Sequence, residues 1–190
     1  MLRELRPAVS MVVLFTVLLG LVLPGLFTGA MQLALPWQAN GSLIRQNGQV
    51  IGSARIGQDF TGAQFFSPRP SALNPKPYTA NTSGATNLAP TSKALLTTVH
   101  ARVAAYLKAY GPGPVPADAV TASGSGLDPD ISLANALRQA PAVAAARHLR
   151  RGAVTALVES LAHHPFLKII GTEHVNVLEL NLALEHLPAS

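Results

Sequence analysis

The chain has 190 residues, with 14 Lys plus Arg against 9 Asp plus Glu, and no cysteine. The missing cysteines exclude disulfides and thiolate metal sites. The mild basic excess is scattered, Arg150-Arg151 being its only adjacent pair, which argues against nucleic acid as a partner.

Residues Pro7 to Phe27 hold no charged side chain in 21 positions. At about 1.5 Å per residue, a helix of that length matches a hydrocarbon core of about 30 Å. The stretch predicts one membrane-spanning helix, with Pro24 and Gly25 near its far end, where a kink or early exit costs least. A cleaved signal peptide is the rival reading, with Met1–Arg6 as its basic region and Thr28-Gly29-Ala30 as small residues at a cleavage site. Signal cores usually span about 7–15 residues, so the length favours an uncleaved anchor. Arg3 and Arg6 precede the span and no Lys or Arg follows until Arg45. The positive-inside rule therefore expects residues 1–6 in the cytoplasm of a single-pass plasma-membrane protein. It expects 7–27 as the transmembrane helix, 28–41 as a linker, and 42–190 as one extracytoplasmic globular domain. Trp37 suits the far interface.

Leu43 to Gly52 reads as a β-hairpin, because Asn47-Gly48 tolerates the positive φ angles of a type I′ turn. Its second arm is expected to continue toward Ile56. Phe60, Phe65 and Phe66 form an aromatic cluster expected to pack on that hairpin. Ser67 to Pro90 contains five prolines and no hydrophobic period, so it predicts an irregular loop over the domain. A loop that long inside one domain is more often functional than idle.

Leu95, Leu96, Val99, Val103 and Leu107 recur at helical spacing, predicting a helix over 92–110, capped by Thr91 or Ser92 and ended by Gly111-Pro112-Gly113-Pro114. Ser132 is expected to cap a short helix through Leu137. Pro141 is expected in the first turn of another helix running to about Leu149. A third covers Gly152 to His163. Leu167 to Ile170 reads as a short buried strand. Leucines at 178, 180, 182 and 184 alternate as in a strand, but Asn176 and Glu179 make a capping box, which favours a helix. The class is α+β: an N-terminal transmembrane helix, then a mixed domain with a small β-hairpin or sheet and several helices.

The densest unusual stretch is VTASGSGLDPDIS at 120–132. Small residues at 122–126 allow close backbone approach, and glycine-rich turns can form an anion nest beside the Ser132 helix start. It is no P-loop, lacking Gly-Lys-Ser/Thr, and no dinucleotide fingerprint. The plainer reading is a serine–glycine turn followed by an Asp-Pro helix start. Asp128 and Asp130 could serve hydrolysis or a hard cation, though capping and turn formation is the commoner use of such residues. Ser123 and Ser125 lack the nucleophile-elbow pattern. His163-His164 lack zinc spacing, and His174 and His186 add nothing to it. The chain is unpersuasive as an enzyme.

Several blocks together resemble the bacterial KdpC family, the C subunit of the potassium-transporting Kdp ATPase. They are the N-terminal span, FFSPRPSA at 65–72, Ser83-Gly84 with NLAPT at 87–91, the 120–132 block, Gln139 with Val143 and Arg147, and VNVLELNLAL at 175–184. The match covers nearly the whole chain in order. Asp130 departs from it, since the family usually has His there, and Ala85 stands where a second Gly is common.

The resemblance implies a non-catalytic accessory subunit, without the DKTG phosphorylation motif and without a metal of its own. Its implied partners are a channel-like potassium-binding subunit (KdpA), a P-type ATPase subunit (KdpB) and a very small hydrophobic subunit (KdpF), in membrane lipid. It further implies assembly and a catalytic-chaperone effect that raises the pump's ATP affinity. In that proposal ATP is contacted by Ser123, Gly124, Ser125, Gly126, Asp128 and Gln139. The charge-derived topology puts those residues across the membrane from cytoplasmic ATP. The physical alternative is an extracytoplasmic lid over the potassium-binding subunit, its helix packing on a partner through Gly20 and Gly25. A free-standing anchored hydrolase or solute-binding domain using the 120–130 loop is a third reading.

Overall fold

The computed structural model describes residues 2–165 and 169–188. The chain divides into two compact units, Met1–Ile51 and Gly52–Ser190.

The first unit is dominated by one helical run: α1 (Leu2–Val17), a π-helical turn over Leu18–Val22, and α2 (Leu23–Ala34). Arg3–Ala34, 32 residues, is long and apolar enough to cross a membrane. The helix therefore exceeds the expected 7–27 at both ends, and Pro24 does not end it. The cause is local. Proline has no N–H, so the carbonyl four residues back loses its partner. The backbone widens just before it, and Leu23 N–H bonds to the Leu18 carbonyl. Pro24 then falls in the first turn of α2, where a missing N–H costs least. A short helix α3 (Pro36–Ala39) follows, and Trp37 Nε1 donates to the Leu43 carbonyl at 3.1 Å. Strands β1 (Leu43–Gln46) and β2 (Gln49–Ser53) pair as a hairpin. Asn47 and Gly48 take φ +52° and +81°, the positive pair that a type I′ turn needs. The second arm ends at Ser53, which makes one further antiparallel bridge to Ile56.

The second unit begins with irregular chain as far as α4 (Lys93–Tyr110). Ser92 caps α4, its hydroxyl accepting from Leu95 N, and Gly111 ends it at φ +83°. The buried residue of α4 is Tyr106, while Leu96 on the expected stripe is 51% exposed. A one-turn helix α5 (Ala117–Val120) precedes the loop that leads to β3 (Asp130–Ser132). Next come α6 (Leu133–Ala146), α7 (Arg151–Ser160), β4 (His174–Asn176) and α8 (Val177–Glu185).

Two βα pieces repeat one design. β3 pairs antiparallel with β4, placing Ile131 opposite Val175 and Ser132 opposite His174. Each strand ends in the residue that caps the next helix: Ser132 Oγ accepts from Asn135 N, and Asn176 Oδ1 from Glu179 N, both at 3.1 Å. Ile131, Val143, Val154, Val158, Val175, Leu180 and Leu184 form the core between these pieces and α7, each at most 1% exposed. Completely burying side chains of this kind contributes roughly 1.5–3 kcal/mol each.

Three expectations are corrected. Residues 133–146 are one helix, with Pro141 in its interior. The buried face runs on through Ala136, Gln139, Ala140, Val143 and Ala144 on both sides of the proline, and that packing outweighs one lost hydrogen bond. Phe66, expected in one cluster with Phe60 and Phe65, is fully buried in the helical core, while the Phe60 and Phe65 rings lie tilted against each other at 5.7 Å. Leu167 lies outside the described residues, and Ile169 and Ile170 beside it are 82% and 67% exposed, so they do not form a buried strand. The α8 helix and the α+β class are as expected.

Candidate functional site

Irregular chain from Phe66 onward lies as a strap across α6 and α8, and two side-chain amides hold it. Asn181 Oδ1 accepts from Phe66 N at 2.8 Å while Asn181 Nδ2 donates to Phe66 O at 3.0 Å. One residue on, Gln139 Oε1 accepts from Ser67 N at 2.7 Å and Gln139 Nε2 donates to Ser67 O at 3.1 Å. Both amides are buried, which strengthens these bonds and makes their loss costly.

The network continues inward. Gln139 Nε2 also donates to Asn135 Oδ1 at 3.0 Å, and Tyr106 OH donates to the same oxygen at 2.9 Å. Asn135 Nδ2 donates to Asp118 Oδ2 at 2.9 Å, and Asp118 accepts from both the N–H and the hydroxyl of Ser132. Burial raises the Tyr106 phenol well above its ordinary value, so it stays a hydrogen-bond donor.

The serine–glycine turn is stitched to the same strap. Ser123 N donates to Pro70 O, and Gly84 N donates to Ser125 O at 2.9 Å. Ser71 Oγ donates to Gly126 O at 2.8 Å. The two hydroxyls close the turn itself: Ser123 Oγ accepts from Gly126 N and Ser125 Oγ from Leu127 N. Gly126 has φ +71°, and a Cβ there would lie 2.7 Å from Leu73 Cγ, so both conformation and space require glycine. Gly124 is exposed, with open space around it. Asp128 Oδ2 pairs with Arg69 Nη1 at 2.6 Å, and its other oxygen accepts from Asp130 N. Tyr78 OH donates to the Arg69 carbonyl, and burial raises its phenol strongly.

Beside this turn is a pocket of about 290 Å³, lined by Arg69, His174 and the carboxylates of Asp118, Asp128, Asp130 and Glu173. Burial, more than its charged neighbours, lifts the Asp130 carboxyl above the usual range. Of the six residues expected to form a site, Ser123, Gly124, Ser125, Gly126 and Asp128 share one turn. Asp128 alone of the six lines the pocket. Gln139 is instead committed to Ser67, Asn135 and Tyr110. Asp128 and Asp130 face the same pocket, as strand-like spacing allows. Among the described residues no group of three His, Asp or Glu side chains is placed to hold a metal ion.

Sequence reasoning missed Asn135, Asn181, Arg69 and the tyrosines of α4. The asparagines carried a signal: each falls on the apolar face of its helix, where a polar residue is buried only if something bonds it. It also set aside His163 and His174, whose rings stack 5.2 Å apart at the pocket edge.

A family profile described as KdpC, "K+-transporting ATPase, c chain", matches residues 5–186. A protein of Allorhizobium ampelinum named "Potassium-transporting ATPase KdpC subunit" is 50% identical over 185 residues, covering 97% of each chain. Proteins of the same name from Mycobacterium tuberculosis and Caulobacter vibrioides are 50% and 51% identical. The first alignment covers 98% of this chain and 100% of the relative, the second 97% and 94%.

Proposed function

Because this chain belongs to the KdpC family, we propose that it is a non-catalytic assembly subunit of a potassium-transporting ATPase. The α1–α2 helix anchors it in the membrane, and the second unit lies on the extracytoplasmic side, as a cover over the potassium-binding subunit. KdpA-like, KdpB-like and KdpF-like chains are its partners in this reading.

One observation carries the choice of cover over nucleotide contact. Three of the expected contacts are already bonded within the chain: Ser123 and Ser125 close their own turn, and Gln139 holds Ser67. A nucleotide would have to displace those bonds. The arginines ahead of the span support the same reading, since the positive-inside rule favours a block lying across the membrane from cytoplasmic ATP.

Complexes isolated from cells carrying or lacking this chain test the proposal. Loss of subunit association or of potassium affinity is expected without it; intact assembly with unchanged potassium-stimulated ATP hydrolysis would overturn the reading. A Ser125→Cys variant adds the topology, with Gln49→Cys on the hairpin as control. Labelling by a membrane-impermeant thiol reagent is expected in intact spheroplasts. Labelling of both variants only after lysis would put the block beside ATP and restore direct nucleotide contact with a rise in ATP affinity.

A further inference from the structure

We propose that the apolar face of α2 is a docking surface for a helix of a membrane-spanning partner subunit, one that rises past the lipid alongside it. This deepens the reading of the chain as a subunit of a membrane complex and rests on that reading.

The helix is longer than the lipid is thick. A hydrocarbon core of about 30 Å takes about 20 helical residues, so from Pro7 the lipid ends near Leu26. The helix runs on to Ala34. From Pro7 to Ala34 it rises about 42 Å. Fitting all of that into the hydrocarbon needs a tilt of about 45°, beyond the observed range of about 0–40°. A headgroup layer of about 5–7 Å takes about four more residues, so the last turn of α2, from Met31, stands clear of the lipid.

The side chains change character where the lipid ends. From Pro7 to Val22 apolar residues stand on every side, as lipid requires. Within α2 they separate. At about 100° per residue, Leu23, Leu26, Phe27, Ala30 and Ala34 share one face, and Gly25, Thr28, Gly29 and Gln32 the other. Leu26 and Phe27 are 67% and 62% exposed. Leu23, Leu26, Phe27 and Ala30 line a notch of about 280 Å³, which admits a side chain of a packed helix as a ridge enters a groove. Inside lipid, large apolar residues do not drive helices together; outside it they do. The face begins with Leu23, at lipid depth, and ends with Ala34, beyond it. A chain that covers it must be present at both depths, which selects a membrane-spanning partner over a soluble one.

Single cysteines test this, because the chain has no thiol of its own. Ala34→Cys lies on the apolar face and Gln32→Cys on the other. Each is treated with a membrane-impermeant thiol reagent in lysed spheroplasts, where both sides of the membrane are open. Membranes holding the whole complex are compared with membranes holding this chain alone, and copurification confirms that each variant associates. Gln32→Cys should react alike in both. Ala34→Cys should react readily in the lone chain and about tenfold more slowly in the complex. Equal rates for Ala34→Cys with and without partners would overturn the inference and leave the complex standing. Slow reaction in the lone chain would overturn it too, since lipid or the chain itself would then cover the face. Protection of Gln32→Cys in the complex would do the same, by placing a contact on the Gly25 and Gly29 side. A parent chain that copurifies with no partner would overturn the underlying reading as well. Where Ala34→Cys does not associate, Met31→Cys, at the edge of the same face, is read in the same way.

Discussion

Asn181 holds Phe66 as a neighbouring strand would, through both of its backbone groups, across 115 positions of sequence. The amide donates once and accepts once, while the Phe66 ring is buried in the helical core. Gln139 repeats the arrangement on Ser67. Two helices thereby grip consecutive residues of a chain that has no secondary structure of its own.

Replacing Asn181 with Ala strands a buried N–H and a buried carbonyl together. Each unmet group costs about 1–3 kcal/mol, so a loss of about 3 kcal/mol is expected. Thermal unfolding of the full chain in detergent, followed by circular dichroism, measures it. A change within about 0.5 kcal/mol, ordinary for surface positions, would show that the clamp contributes nothing.

Gln139→Ala separates structure from nucleotide contact. Unfolding should occur at lower temperature with or without ATP, by an amount near 2 kcal/mol. ATP should give the parent chain no protection. ATP-dependent stabilisation of the parent chain that Gln139→Ala abolishes would contradict the inward-facing role.

The two glycines of the turn should differ in their tolerance of alanine. Gly126→Ala forces a Cβ onto Leu73 and the Gly84 carbonyl at a positive φ, with a loss of about 2 kcal/mol. Gly124→Ala meets open space and no positive φ, so its effect should stay within about 0.5 kcal/mol. Chemical denaturation of the paired variants checks both.

Asp130 gives a pH-dependent prediction of definite sign. Its folded carboxyl is raised, chiefly by burial, so its ionisation weakens the fold as pH rises through the folded value. Asp130→Asn has no such ionisation. The variant should therefore unfold at higher temperature than the parent near pH 7. The gap should close on acidification toward the ordinary aspartate value of about 3.9. A gap that widens in acid would reverse the assignment.

Much of the fold was legible because its signals are local. The charge-free run before Phe27, the Asn47-Gly48 turn, and the caps Ser92, Ser132 and Asn176 each act within four residues of their partners. The strands at 130–132 and 174–176 were not legible, since three residues are too few to show a period. Pro141 misled for the opposite reason: its local preference is strong, and a helix face buried on both sides overrode it.

The sequence by itself determined the long apolar N-terminal helix, the caps of α4, α6 and α8, the α+β class and the resemblance to one family. Composition, caps and motif order carry those without reference to anything distant. Only the tertiary structure decided that Gln139 and Asn181 grip the strap, and that Asp130 and His174 line one pocket. Gln139 lies 72 positions from Ser67, and Asp130 lies 46 from Asn176. An amide or carboxylate shows in sequence only what it can bond. Which buried backbone or side chain it satisfies depends on how the helices close over the loop.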